Sequence, residues 1–231
     1  MNAPETAAPA LENPFIGVQP YPEGRTLYGR EQESAELADL IISRRIVLLY
    51  SPSGAGKTSL INTALRRELV VRGKGRFRAS PAIRVSYLAE GVAANRYVLS
   101  VLHHLERAFP AAEQLPDGTL GLYTLPRYLA ERWSPYVQSQ EARTRRELLV
   151  FDQFEELFTL DPTDLAAKRE FLAQVAEALG NREEGEEAPA ARTPLRWALF
   201  AMREDFIAEL DPYKALLPTA LSTRFRLNLL G

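Results

Sequence analysis

Residues 45 to 69 read RIVLLYSPSGAGKTSLINTALRREL, and this order of parts constrains the fold more than any other stretch. "RIVLLY" is short, continuous and β-branched, the pattern of a strand covered on both faces. A glycine-rich turn follows at once. Leu60, Ile61, Ala64, Leu65 and Leu69 then recur at helical spacing, so the turn opens directly into a helix.

Four later stretches have strand character: "AIRVSYL" (82–88), "ELLVFDQ" (147–153), "RWALFAM" (196–202) and "RFRLNLL" (224–230). Helical periods lie between them. Glu31 opens one helix, with Leu37, Leu40 and Ile41 on a face, ending near Ser43. "NRYVLSVLHHLERAF" and "DLAAKREFLAQVAEAL" are two more, the second presenting Leu165, Phe171, Leu172, Val175 and Leu179 on one side. Strands alternating with helices predict an α/β fold with an open, mostly parallel sheet and helices on both faces. At 231 residues the chain has length for one full core. We therefore expect one domain over 25–231, preceded by a proline-bearing extended or partly disordered segment over 1–24 that uses Phe15 and Ile16 as anchors. "NREEGEEAPAARTP" (181–194) reads as a solvated loop, and "SPYVQSQEARTRRE" (134–147) as a basic helix with a solvated face.

Composition excludes several chemistries. There is no cysteine, which removes disulfides, thiolate nucleophiles and cysteine-bound metals. A formal net charge of −2 gives no general attraction to nucleic acid or anionic membrane. No apolar run approaches the ~20 residues of a membrane span, and the N-terminus lacks the form of a signal peptide, so the expected compartment is the cytoplasm. His103 and His104 are consecutive on a helix and cannot chelate one ion from one face.

The glycine-rich turn carries the first chemistry. Glycines at 54 and 56 let successive N–H groups turn inward around an anion. Lys57 supplies a mobile cation for β- and γ-phosphates, Thr58 offers a hydroxyl to Mg²⁺, and the helix adds its positive end. The expected phosphate cradle is Ser53, Gly54, Ala55, Gly56, Lys57, Thr58 and Ser59. Ser51 stands where the G-x-x-x-x-G-K-[ST] pattern has its first glycine. The second constellation is "LLVFDQFEELF" (148–158). Asp152 follows an apolar strand, at the end where ligands bind in open α/β sheets, and is placed to hold Mg²⁺ with Thr58. Glu155 and Glu156 lie close enough to orient an attacking water. In "LFAMRED", Arg203 follows another apolar strand. It reads either as a group facing a γ-phosphate or as a surface ion pair with Glu204 or Asp205.

Taken together, "NPFIGVQPYPEGRTLYGRE", "LLYSPSGAGKTSLINTAL", "LLVFDQFEELFTL" and "FAMREDFIAEL" resemble the bacterial STAND-class P-loop NTPases, in particular the novel STAND group. The resemblance covers most of residues 13–230. It implies a five-stranded P-loop NTPase sheet in which the strand before Arg203 lies between the loop strand and the Asp152 strand, favouring the γ-phosphate role for Arg203. It also implies that Tyr28, Gly29 and Arg30 help close over adenine and ribose. It implies an ATP-binding, Mg²⁺-dependent switch in signal transduction with slow ATPase activity, catalysed by Glu155, Glu156, Lys57 and Arg203. Partners would be ATP and ADP, with a protein partner or C-terminal domains beyond this chain, and oligomerisation on activation is compatible with it. The alternatives are a nucleotide-binding scaffold with little hydrolysis and, further off, a small-molecule kinase. No Asn-Lys-x-Asp segment selects guanine, which favours adenine.

Overall fold

The computed structural model describes residues 28–92, 94–140, 146–180 and 195–229. The expected N-terminal segment and the loop at 181–194 therefore lie outside the described residues.

Five strands, β1 (Ile46–Ser51), β2 (Phe77–Ile83), β3 (Arg146–Phe151), β4 (Leu195–Arg203) and β5 (Arg224–Arg226), form one sheet in the order β2-β3-β4-β1-β5. Every pairing is parallel. The strand before Arg203 thus lies between the loop strand and the Asp152 strand.

Both faces of the sheet are covered, and alternate residues of each central strand enter opposite cores. Ile46, Leu48, Leu149, Phe151, Ala198, Phe200 and Met202 point to one face, while Val47, Leu49, Leu148, Val150, Trp197, Leu199 and Ala201 point to the other. This explains why "IVLLY" and "LLVF" show no polar alternation: each strand is buried twice over. The second face is closed by α1 (Glu31–Arg44) and α2. The latter is one continuous run made of Lys57–Leu60, a π turn Ile61–Leu65 and Arg66–Arg72. The first face is closed by α3 (Arg96–Glu106), by α4 (Leu125–Tyr128, a π turn Leu129–Trp133 and Ser134–Gln140) and by α5 (Leu165–Leu179). Phe151 and Phe200 stack across adjacent strands with centroids 4.9 Å apart. Removing such a ring costs about 3–5 kcal/mol.

Helix starts follow local chemistry. Asn95 Oδ1 accepts from the N–H groups of Tyr97 and Val98, and Asp164 Oδ1 accepts from Ala167 N–H.

Four sequence expectations need correction. The fifth strand is Arg224–Arg226 rather than 224–230. The second strand is Phe77–Ile83 rather than 82–88. It is an edge strand, so Pro81 is tolerated, and its register slips between Ala79 and Ala82. The basic helix expected over 134–147 ends at Gln140, and Arg146 already belongs to β3. Leu165, expected on the apolar face of α5, is exposed because it is the first residue of the helix and has no core above it. Among the described residues, no helix is long and apolar enough to cross a membrane.

Candidate functional site

Four strands release their chains at the same edge. β1 ends at Ser51, β3 delivers Asp152, β4 ends at Arg203, and β2 is followed by Arg84. Ser51 and Arg203 are partners in the β1–β4 register, so the start of the loop and the arginine are fixed side by side.

The loop needs its glycines for backbone reasons. Gly54 and Gly56 have φ of 78° and 87°, and a Cβ on either would meet nothing within 4 Å. Left-handed conformation, not crowding, is what excludes other residues there. Ala55 is buried in the core beneath the loop, and its carbonyl accepts a 3.1 Å hydrogen bond from Arg30 Nη2. The same nitrogen donates to Asn228 O at 2.7 Å, while Nη1 pairs with Glu33. Arg30 is buried, so its charge is spent beneath the loop. Gly29 N–H donates to Glu31 Oε1, and Tyr28 is 70% exposed at the mouth of α1. The start of a helix lacks acceptors one turn earlier for its first N–H groups, which suits the beginning of α2 to an anion.

Thr58 Oγ1 donates to Asp152 Oδ2 at 2.8 Å, joining the loop helix to the end of β3. Asp152 is buried, and burial pushes its carboxyl up, against Thr58, the Gln153 N–H, Arg84 and Lys57, which favour the ionised form. Lys57 is pushed down by burial, while Glu155 and Asp152 oppose that shift. Its Nζ donates to Ser51 Oγ at 2.8 Å.

The "DQFEELF" segment works by alternation of anchors and acids. Gln153 adopts a left-handed φ of 51°, and the turn it makes carries Phe154 into the core, where Phe154 N–H donates to Ala201 O at 2.9 Å. Phe154, Leu157 and Phe158 are all buried. Between these anchors Glu155 Oε2 accepts from Arg203 N–H at 3.2 Å, and Glu156 Oε1 pairs with Arg84 Nη2 at 3.2 Å. Burial raises the Glu156 carboxyl, against Ser86 and Arg84. The Arg203 guanidinium donates to Asp205 Oδ2 at 2.6 Å and lies over the Phe206 ring. It is thus both in register with the loop and in the expected ion pair. Its Nε, like that of Arg84, is buried without a hydrogen-bond partner.

Sequence reading missed Arg84, because a strand placed at 82–88 makes it an interior residue rather than the one after the strand's end. It also missed the Ser51–Lys57 bond. Neither has a motif signal.

A hydroxyl and a carboxylate side by side suit a hard divalent cation. Among the described residues no group of three or more acidic or histidine side chains forms a closed metal cage, so an ion bound by Thr58 and Asp152 would complete its shell with water and ligand oxygens. The orphaned guanidinium nitrogens and the φ-constrained loop likewise fit a phosphorylated ligand.

An all-parallel five-stranded α/β sheet with a strand–G-x-G-K-T–helix loop defines the P-loop NTPase class. Within it the chain belongs to the Novel STAND NTPase 1 family (nSTAND1), whose profile matches residues 14–230. Among solved structures it is similar to the Aeropyrum pernix ORC2 protein in ADPNP–ADP complexes, at 16% identity and a TM-score of 0.54, over 93% of this chain and 51% of that one. It is also similar to the Walker-type ATPase PABY2304 of Pyrococcus abyssi, at 17% identity and a TM-score of 0.56, over 92% of this chain and 57% of that one. At such identities the likeness establishes the fold, and the chain spans little more than half the length of these structures. No curated protein matches it significantly.

Proposed function

We propose that this domain binds ATP with Mg²⁺, hydrolyses it slowly, and acts as a nucleotide-controlled switch within a signalling protein. The observation that carries the reading is the 2.8 Å bond between Thr58 and Asp152, with Lys57 beside them and Arg203 in register with the start of the loop. The same class of ligand is named for one structural neighbour, the ORC2 protein, in its ADPNP–ADP complexes.

Each role follows from position. The amides of residues 53–59 receive phosphate oxygens, and Lys57 neutralises the β- and γ-phosphates. Thr58 and Asp152 hold Mg²⁺, which when bound supplies charge neutralisation to the phosphates. Glu155 lies close enough to Lys57 to act on its charge and is the nearer of the two glutamates to Arg203, so it is assigned the attacking water. Arg203 exchanges Asp205 for the γ-phosphate when ATP is present, which gives the two nucleotide states different contacts. Tyr28 and Gly29 are assigned to the nucleoside end.

A scaffold with little hydrolysis is the second reading, favoured by one observation. Both glutamates are engaged, Glu155 by the Arg203 amide and Glu156 by Arg84. Denaturing the purified protein and identifying released nucleotide tests binding, with Lys57→Ala as the control. ADP or ATP from the wild type alone supports the reading. No nucleotide, together with no thermal shift in Mg-ATP, removes both readings. Phosphate release abolished by Glu155→Gln, with binding intact, selects the switch over the scaffold.

A further inference from the structure

We propose that Ser51 is a positioning residue whose hydroxyl fixes the Lys57 ammonium over the phosphate loop before a nucleotide arrives. This rests on the ATP-binding reading and adds a residue that the loop pattern itself does not call for.

Ser51 is 0% exposed, and the end of β1 that carries it is held from both sides. On one side Ser51 is in register with Arg203, and on the other Leu227 N–H donates to Tyr50 O at 2.9 Å. The Ser51 hydroxyl has one proton, and this goes to Pro52 O at 2.9 Å. Its lone pairs are thereby left to accept, and Lys57 Nζ donates to them at 2.8 Å. The charged groups acting on that ammonium are Glu155, Asp152 and Glu204, with Arg203 opposing them. Even so, among the described residues its hydrogen bond is to the neutral serine.

The consequence is geometric. A lysine side chain has a flexible four-carbon stem and three equivalent donors. Binding phosphate normally requires the stem to be ordered at that moment, which weakens affinity. Here one donor is anchored to a rigid strand end and two remain for phosphate oxygens. A glycine at position 51 has no hydroxyl and gives no such anchor. The departure from the loop pattern therefore supplies preorganisation instead of removing function.

The test uses this 231-residue chain and Mg-ATP as the probe. Wild type, Ser51→Ala, Ser51→Gly and Ser51→Thr are compared by titration calorimetry, with thermal melting of each protein without nucleotide. Loss of the hydroxyl in Ser51→Ala and Ser51→Gly is expected to weaken Mg-ATP binding about ten-fold, the weight of one hydrogen bond to a charged group. Ser51→Thr keeps the hydroxyl and is expected to bind within about three-fold of wild type. A packing role alone would show in the melting of the nucleotide-free variants, and Ser51→Thr would not restore affinity. Equal affinity of wild type and Ser51→Ala, or a well-folded Ser51→Thr that binds as weakly as Ser51→Ala, overturns the proposal while leaving ATP binding standing. Failure of the wild type to bind Mg-ATP overturns the functional reading itself. If Ser51→Thr melts early, the Ala and Gly variants decide the matter on their own.

Discussion

The two ends of β3 and β4 hold similar charges and use them in opposite ways. At the starting end, Glu147 and Arg196 are register partners, 1% and 6% exposed, and the guanidinium is fully engaged by Glu147, Ser134 Oγ and the Ala178 carbonyl. At the finishing end, Asp152 and Arg203 do not pair with each other. Asp152 binds Thr58 on another element, and the Arg203 side chain, 41% exposed, reaches Asp205 near solvent. The first arrangement is closed to solvent: each guanidinium nitrogen has a partner inside the fold, and Glu147 Oε1, which has none, is buried out of a ligand's reach. The second leaves each charge a contact that a ligand can replace, which is the physical difference between a structural ion pair and a site.

Breaking the closed end should have the largest effect. Arg196→Ala leaves Glu147 buried and unpaired, and is expected to cost about 3–5 kcal/mol in chemical denaturation. Replacing both, as Glu147→Leu with Arg196→Met, should recover most of that loss. Burial pushes the Glu147 carboxyl up even beside Arg196, which is why an apolar pair can stand in for it.

Lys57→Ala comes next and should show the reverse profile. Mg-ATP affinity is expected to fall about 100-fold by calorimetry, while the unfolding free energy without nucleotide stays within about 0.5 kcal/mol of wild type.

Asp152→Asn sharpens the comparison most finely. Burial raises the Asp152 carboxyl, so the ionised form is worse placed in the fold than in the unfolded chain. The stabilisation tied to its protonated form is present below the unfolded pKa and is lost as pH rises through the folded one. The nucleotide-free Asn variant should therefore be more stable at neutral pH, by on the order of 1 kcal/mol or about 2–4 °C in melting. That gap should close as the pH is lowered through the raised carboxyl value. Its thermal shift by Mg-ATP should lose its dependence on Mg²⁺. An equal loss of stability in Asp152→Asn and Arg196→Ala would erase the distinction between the two ends.

The legible parts of this chain were those where local pattern and tertiary role coincide. β1, β3 and β4 are buried on both faces, so their apolar runs have no competing explanation, and each ends at a residue whose chemistry stands out. The positions of Lys57, Thr58 and Asp152 were legible because each directly follows a glycine-rich turn or an apolar strand. β2 could not be read well, because an edge strand with Arg78, Pro81 and a register slip has a weaker pattern than the "AIRVSYL" that overlaps it. α4 was hidden for another reason, since a π turn at Leu129–Trp133 shifts the apolar period part-way along the helix. Arg84 with Glu156, and Ser51 with Lys57, depend on topology and on one hydroxyl's rotation. No one-dimensional spacing encodes either.

Arg30 gives the loop a connection to the sheet's weakest margin. One guanidinium nitrogen holds both the Ala55 carbonyl in the loop and the Asn228 carbonyl just past the three-residue strand β5. Short edge strands fray readily. When β5 opens, the bond beneath the loop loses its second anchor. Amide deuterium uptake in the loop and in β5 should therefore rise and fall together, as one breathing unit set apart from the slowly exchanging central strands.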